Sequence, residues 1–453
     1  MNGKMLRIAL PALLVITGLA RSQTPAAPAP ASGIPSVSLP SVSLEDALKR
    51  ARQYGGQVQA ANFAVLLARE DRVQARALAL PSVNAINEFI YTEGNGTPTG
   101  VFVANNGVHV YNEQAQVHEE LLSVFRRGEI RRALANEAAA RARVQVAARG
   151  LNATVIQDYY AIASATRKLA NARVSLAEAQ RFLDITQKQE AGGEAAHADV
   201  IKAQIQLQQR QRDVDDAQLA LEKAKIALGV LIFPNFTTDF TIIDDLEASE
   251  LVPPVQEVRA KALSTSPDLA AARFGVEAAG FDVGVARYGY LPSFTLDFFY
   301  GINANQFAVN GIDREAGNPD ITRRNLGYAA QASLNIPVWN WGATRSKVRQ
   351  AELRRSQAQL DLTLAQRTIE SDLATLHAEA RAAQAQIASL RSSSELAAES
   401  LRLTILRYQA GEATALEVVD AQTTVTQARN AYDDGLARYR VALANLQTLT
   451  GSF

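Results

Sequence analysis

The sequence contains one unusual passage twice, about two hundred residues apart. Each copy begins with Ala-Arg and Leu-Pro-Ser, continues through two β-like runs around a turn-rich stretch, and leads through a glycine into a long segment without proline. The first copy runs from Ala75 to Gly128 and the second from Ala286 to Gly342. A duplication on this scale indicates that the fold is built from two versions of one unit.

The segments after the two glycines are predicted to be very long helices. No proline occurs between Pro98 and Pro234, and none follows Pro337. Proline is the strongest helix breaker, so its absence permits uninterrupted helices over 128 to about 190 and 342 to about 409. The second would be roughly 100 Å long at the usual rise per residue.

Apolar and small residues recur along both helices in steps of three and four. This spacing is the heptad pattern of coiled-coil packing, and on the helices alone an ordinary long coiled coil is an equally good interpretation. The two series are Leu151, Val155, Asp158, Ile162, Ala165, Leu169, Ala172, Leu176, Ala179 and Leu183, and Ile369, Leu373, Leu376, Ala380, Ala383, Ile387, Leu390, Ser394, Ala397 and Leu401.

Each long helix is predicted to end at a glycine turn, at Gly193 in the first copy and Gly411 in the second. A helix of about forty residues then runs back, so each half forms a long antiparallel helical hairpin with its tip at that glycine. Shorter helices over 44–78 and 255–286 precede the β-like runs.

The β-like runs of the second copy alternate strictly between apolar and polar residues. Leu296, Phe298 and Tyr300 stand on one face of the first run, with Thr295 and Asp297 on the other. Alternation over about ten residues is typical of a transmembrane barrel strand, although a half-buried soluble hairpin has the same period. The aromatic residues where the strands meet the helices suit a membrane interface; they are Tyr288, Tyr290, Trp339 and Trp341.

The first-copy strand over 111–122 is harder to place. It contains Glu113, Glu119 and Glu120, so neither face is free of charge. The register of this strand stays open: either it carries a bulge, or part of it lies outside the hydrocarbon layer.

The predicted organisation begins with a signal peptide over 1–22, which has basic residues followed by a short apolar run; a single N-terminal membrane anchor is the alternative. A flexible Pro/Ala/Ser-rich segment follows over 23–43. The first repeat covers 44–233, with a β-hairpin at 82–125; a linker covers 234–254; and the second repeat covers 255–453, with a hairpin at 293–339. The chain has no cysteine, so disulfide bonds do not contribute to its fold. Its formal net charge is zero, which gives no argument for nucleic acid as a partner.

Four strands per chain cannot close a barrel, and an open sheet edge is not tolerated in lipid. Several copies must therefore share one barrel, and a homo-oligomer is expected from this reasoning alone.

These residues resemble the TolC family of outer membrane efflux proteins. The resemblance rests on the duplicated Leu-Pro-Ser passages, on Ile336-Pro337-Val338-Trp339 before Gly342, and on the run from Tyr408 to Gln422, and it covers about 44–451. It implies a mainly α fold with membrane β: a homotrimer with a shared twelve-stranded transmembrane β-barrel and a long α-helical barrel. It also implies an outer-membrane location reaching into the periplasm, an inner-membrane pump, and a periplasmic adaptor that contacts the hairpin tips at Gly193, Gly411 and Glu412.

The resemblance further implies a constriction at the periplasmic tips. Glu417 and Asp420 match the acidic residues of that aperture, Asp199 is the first-copy equivalent of Glu417, and Tyr408 would join the network that holds the tips closed. Glu417 and Asp420 lie three residues apart and hence on one helix face, so symmetry would stack them as carboxylate rings that favour cations. The alternative is that all three acids only stabilise helix starts. Ala413 replaces a basic residue that latches the closed state elsewhere in the family.

No motif indicates catalysis, a cofactor or a metal site. The four histidines lack ligand spacing, and no phosphate loop or nucleophile motif is present. The expected function is the passive exit duct of a tripartite efflux or type I secretion system. The alternative from another class is a periplasmic coiled-coil adaptor or scaffold. The transported substrate and the pump class stay open at this stage.

Overall fold

The computed structural model describes residues 40–92, 108–121, 124–248, 250–304, 306–312 and 322–450. The predicted signal peptide and all but the last residues of the segment over 23–43 lie outside this part of the chain.

Two similar series of elements follow one another, as the duplication predicts. The first series is β1 (Ser41–Val42), α1 (Leu44–Tyr54), α2 (Gly56–Ala77), β2 (Ser82–Thr92), β3 (Val108–Glu120), α3 (Val124–Ala191) and α4 (His197–Ile232). The second series is β4 (Thr241–Ile242), α5 (Val255–Thr265), α6 (Pro267–Tyr288), β5 (Ser293–Ala304), β6 (Asn310–Ile312), β7 (Thr322–Arg324), β8 (Leu326–Asn335), α7 (Ala343–Gln409) and α8 (Ala415–Thr450).

The structure differs from the predicted boundaries in both short helices and at the end of the first hairpin. The short helices are each broken in two, at Gly55 and at Ser266, where the backbone becomes extended. Ser266 caps the next helix by accepting a hydrogen bond from the Leu269 N–H, and Pro267 occupies the first helical position, where proline is favoured. The first β-hairpin also ends earlier than expected, because Phe125 already belongs to α3.

The strands and the helices joined to them lie in the same order. The four long strands form one antiparallel sheet in the order β2-β3-β5-β8. The attached helices pack in the order α2-α3-α6-α7. Each strand is joined to its helix by only a few residues. The order of the strands in the sheet therefore fixes the order of the helices below it.

The two faces of β5 differ in character. Leu296, Phe298 and Tyr300 are exposed on one face of β5, whereas Asp297 on the other face bonds to Gln116 and His118 of β3 at 3.0 and 2.7 Å. An apolar outer face and a hydrogen-bonded polar inner face are the arrangement expected of a membrane barrel wall.

The pairing of β3 resolves the open register. Residues 108–118 pair with β2 without a bulge, so Glu113 and Glu119 lie on the same face as Leu296 and Phe298. Glu120 lies on the opposite face and forms an ion pair with Arg126 at 2.7 Å. Two carboxylates therefore stand on the outer face, which favours the explanation that part of this strand lies outside the hydrocarbon.

Below the sheet, α3 pairs with α4, α7 pairs with α8, and α3 packs on α8. Every residue of the two predicted heptad series is buried or half-buried, from Leu151 to Leu183 and from Ile369 to Leu401. The heptad prediction is therefore confirmed. Alanine and serine at many of these positions let the helix axes approach closely.

A partly buried ionic cluster, centred on the buried Arg440, ties the linker between the repeats to the helices. Arg440 of α8 is 7% exposed and donates hydrogen bonds to Asp245 at 2.6 Å and to Tyr160 at 3.2 Å. Burial raises the pKa of the Tyr160 hydroxyl to about 12, although Arg440 opposes the shift. Nearby, Val42 and Ile242 pair in a short parallel bridge between β1 and β4. The last residues of the segment over 23–43 are therefore ordered rather than flexible, because Val42 is fully buried against the helices and the linker.

Within the described residues, no helix is both long enough and apolar enough to cross a bilayer.

Candidate functional site at the helical tips

The two hairpin tips have the same backbone geometry. Gly193 and Gly411 have φ angles of +79° and +76°, a region that side-chain-bearing residues rarely adopt. The same hydrogen bond closes both turns, from Glu194 N to Gln189 O at the first tip and from Glu412 N to Arg407 O at the second, each at 2.8 Å. These bonds satisfy free carbonyls at the helix end, and the positive φ angle of the turn residue explains why glycine stands at these positions.

Glu417 has a structural role at the second tip. Thr414 precedes α8, and its hydroxyl accepts a hydrogen bond from the Glu417 N–H at 3.3 Å, while the Glu417 carboxylate accepts one from the Thr414 N–H at 3.2 Å. This reciprocal pair is a capping box. Arg407 also approaches the Glu417 carboxylate at 3.5 Å, so this carboxylate stabilises both the helix start and the turn.

The other two predicted aperture acids stand apart from this cap. Asp420 lies one turn after Glu417 and is exposed, and no described residue bonds to its carboxylate. Asp199 occupies the first turn of α4 on the other hairpin and is half-exposed. Within one chain the structure does not join Asp199 to Glu417 or Asp420.

Tyr408 lies between the two hairpins rather than beside the acids. Its side chain is 5% exposed and packs edge-to-face on Phe182 of α3, with ring centroids 5.2 Å apart. Its hydroxyl lies 3.4 Å from the buried Thr186 hydroxyl, and its carbonyl accepts a hydrogen bond from Gln189 at 3.4 Å. The tyrosine thus joins the end of α7 to α3.

A row of polar contacts continues this joint along α3 and α8. Ser175 bonds to Thr426 at 2.8 Å, and Arg429 pairs with Glu178 at 3.3 Å. Higher up, Asn171 donates to Asp433 at 2.8 Å. Burial raises the pKa of Asp433, whereas the bond from Asn171 lowers it. The two hairpins are therefore held together by specific side-chain bonds as well as by apolar packing.

Sequence reasoning missed Arg407, Thr186 and Gln189, because contacts between separate helices leave no signal at fixed spacing. Thr414 could have been found, since Thr-x-x-Glu before a helix is the sequence signature of a capping box. Among the described residues, no group of three or more metal-binding side chains was found.

The sequence of this chain matches the family model described as "Outer membrane efflux protein" over residues 47–232 and 258–452. The chain belongs to this family. The two matched segments coincide with the two repeats, so the efflux-protein family carries the same duplication.

Curated relatives in this family are distant. Outer membrane protein TolC of Vibrio cholerae is 26% identical over 302 residues, which is 66% of this chain and 66% of that protein. Outer membrane protein OprJ of Pseudomonas aeruginosa is 24% identical over 69% of this chain and 63% of that protein. The chain therefore aligns with slightly less than two thirds of each of these relatives.

Solved structures extend the likeness to the whole fold. The outer-membrane channel OprN superposes with a TM-score of 0.77 at 19% identity, covering 90% of both chains. The open-state MtrE outer membrane channel of Neisseria gonorrhoeae gives 0.72 at 20% identity, covering 93% of both. The fold class predicted from the sequence, long helical hairpins with membrane β-strands, is confirmed, and the family is one of the outer membrane.

Proposed function

We propose that this protein is the outer membrane channel of a tripartite efflux or type I secretion system. Three chains would form a passive duct across the periplasm, receiving substrates from an inner-membrane pump through a periplasmic adaptor. One observation carries the proposal: the strands and the helices attached to them are arranged in the same order. The sheet and the helical layer both end in open edges, and a second copy arranged in the same way would cover them.

The free edges are complementary. Among the described residues, β2 and β8 are the two outer strands of the sheet, and each has a neighbour on one side only. Beneath them, α2 exposes Phe63 and Leu67, and α7 exposes Leu360 and Leu364, all more than 60% exposed. Joining β8 and α7 of one copy to β2 and α2 of the next would pair the strands and bury these side chains together. Contacts of this head-to-tail kind form a ring when the rotation from one copy to the next closes, as it would after three copies here.

Assembly is tested by charging this apolar edge. We expect Leu360→Glu combined with Leu364→Glu to prevent a stable trimer, because two carboxylates would be buried without partners. The detergent-corrected mass of the purified protein measures the outcome. Thr363→Glu is the matched control, since Thr363 is exposed on the same turn of α7. A stable folded wild-type monomer, or a variant that assembles normally, would contradict the proposed arrangement.

At the tips, Glu417 and Asp420 are proposed to form the narrowest and most negative part of the duct, with Asp199 contributing from the first hairpin. The support is their exposure on one face of α8 directly after the turn at Gly411. The proposed adaptor surface is formed by Gly193, Gly411 and Glu412. Because Ala413 offers no charge, Tyr408 with Thr186 and Gln189 is proposed to hold the hairpins together in place of a basic latch.

Neutralising the aperture should change ion selectivity. We expect Asp420→Asn with Glu417→Gln to reduce cation preference and to weaken block by multivalent cations, because negative rings favour cations. Reversal potentials of single channels across a salt gradient measure the preference.

The control for this test is Thr414→Ala, which removes the capping hydroxyl but leaves both carboxylates. If the double variant assembles normally and keeps wild-type selectivity, the two acids serve only as helix-start residues. If Thr414→Ala alone reproduces the loss, the effect comes from the cap and the aperture assignment fails.

A further inference from the structure

A set of unpaired arginines follows the membrane strands at the top of two helices. Arg127 and Arg131 lie in the first turns of α3, and Arg345 and Arg349 lie in the first turns of α7. All four are exposed, and no described carboxylate forms an ion pair with any of them. Arg126 and Arg132, their neighbours in sequence, are in contrast paired with Glu120 and Asp282 at 2.7 and 3.2 Å. We name Arg127, Arg131, Arg345 and Arg349 the basic collar.

The left-to-right order of the strands, seen from the apolar face of the sheet, determines whether the basic collar points outward or inward. The Leu121 N–H of the chain leaving β3 donates to the carbonyl of Phe294 in β5 at 3.0 Å, and Phe294 lies on the apolar outer face. For L-amino acids, a carbonyl on an ascending strand whose side chain faces the viewer points to the right. Seen from outside with the strands above the helices, β3 therefore lies to the right of β5, and α3 lies to the right of α6.

Contacts along α3 then identify its outer side. Arg132 reaches Asp282 of α6 on the left, and Glu137 reaches Arg72 of α2 on the right. In a right-handed helix that descends from the sheet, Arg127 and Arg131 occupy the side between these two directions that faces the viewer. They therefore point away from the duct.

The same reasoning applies to α7. Thr344 lies against Gly289 just after α6, on the right of α7, and Leu360 faces the free edge on the left. Arg345 and Arg349 fall between these directions on the outer side, whereas Lys347 and Arg354 fall on the inner side. The collar is thus an outward-facing surface on both helices.

The collar lies directly below the aromatic residues that end the sheet. Trp339 and Trp341 are 75% and 89% exposed, with ring centroids 5.8 Å apart. Arg345 and Arg349 line a groove with Tyr290, Gly342 and Ser346. Glu352 also lines this groove, but its carboxylate is held by Arg287 at 3.1 Å.

We propose that the basic collar binds the phosphate headgroups of anionic phospholipids in the membrane leaflet that faces the helices. Outward-facing guanidinium groups beneath an aromatic belt are placed at headgroup level, and their planar forks match phosphate oxygens. Basic pockets beside membrane segments recognise lipid headgroups in this way. The inference rests on the membrane insertion of the strands in the proposed function, and it goes beyond that function by assigning a lipid class.

Fluorescence quenching provides a direct test, because Trp339 and Trp341 are the only tryptophans of the chain. Trimers are reconstituted in phosphatidylcholine vesicles that contain brominated phosphatidylglycerol or brominated phosphatidylcholine as quencher. We expect phosphatidylglycerol to compete for the tryptophan-contacting positions about three-fold to ten-fold better than phosphatidylcholine. The preference should fall as salt is raised, because it is electrostatic.

The decisive variant replaces all four collar arginines with glutamine and should lose this preference while trimer yield is unchanged. Its control is Lys347→Gln with Arg354→Gln, which removes inward-facing charge from the same helix and should keep the preference. Glycerol 3-phosphate, added against a chloride control of equal ionic strength, should not displace the lipid; displacement would indicate a soluble phosphate site instead and overturn the lipid assignment.

Retention of the preference in the collar variant, or equal loss in the control, would overturn the proposal. Absence of quenching by either brominated lipid in the wild type would instead contradict membrane insertion, and the collar proposal would fail with it. The two failures are therefore distinguishable.

Discussion

Replacing Arg440 with methionine is expected to destabilise the protein by about 1–3 kcal/mol, because it removes a buried guanidinium and leaves the half-buried Asp245 carboxylate without its main hydrogen-bond donor. Arg440 is the main partner of Asp245 and also holds Tyr160 and Glu250. The second carboxylate oxygen of Asp245 already lacks a described partner, so the loss of Arg440 removes the bonds that stabilise its charge. Loss of helical circular dichroism on heating or in urea measures the change.

Two further variants separate charge from packing in this cluster. Arg438→Met is the control, because Arg438 is exposed two residues away on the same helix. Asp245→Asn added to Arg440→Met should recover part of the lost stability, since the uncompensated charge is then absent. A double variant that is less stable than Arg440→Met alone would show that the cluster acts through packing rather than through charge.

The architecture could be predicted from the sequence wherever it depends on local patterns. We could predict the two helical hairpins from the duplication, the absence of proline and the glycine turns. Helix α7 ends at Gln409, as expected. The heptad spacing gave the buried faces, because residues three and four apart share one side of a helix. Strand alternation predicted the outer and inner faces of β5, where Phe299 is the one large apolar residue at the polar parity.

Other features depend on contacts between elements that are distant in the sequence. Such contacts leave no pattern of regularly spaced residues from which they could be predicted. The strand over 111–122 could not be placed because acids occur at both parities; only its pairing with β2 and β5 decides which face each one occupies. In the sequence Arg440 is an ordinary helical arginine, and only the folded structure shows that the linker places Asp245 beside it. Of the candidate site, the tips and the position of Glu417 were predicted, whereas the contact of Tyr408 with Thr186 and Gln189 was not.

The second prediction with a large expected effect concerns the lipid-facing side of β5. Phe298 and Phe299 are adjacent in the middle of β5 and point to opposite faces: Phe298 is exposed on the apolar side next to Val117 and Ala330, and Phe299 pairs with Gln116 and Ala329. We expect Phe298→Arg to cost about 2–4 kcal/mol of folding in the membrane, the usual penalty for arginine on the lipid face near the bilayer midplane.

Phe299→Arg is the matched control, because the same change one residue away points toward the water-filled side and should be tolerated. Leu334→Arg, close to the end of β8, should fall between them, since the penalty decreases toward the membrane interface. Outer-membrane yield and the urea concentration that unfolds the reconstituted protein measure this order. Equal effects of Phe298→Arg and Phe299→Arg would show that neither face contacts lipid, and a reversed order would exchange the faces. A reversal would also move the basic collar to the inside of the duct, because its outward direction was derived from the same face of β5.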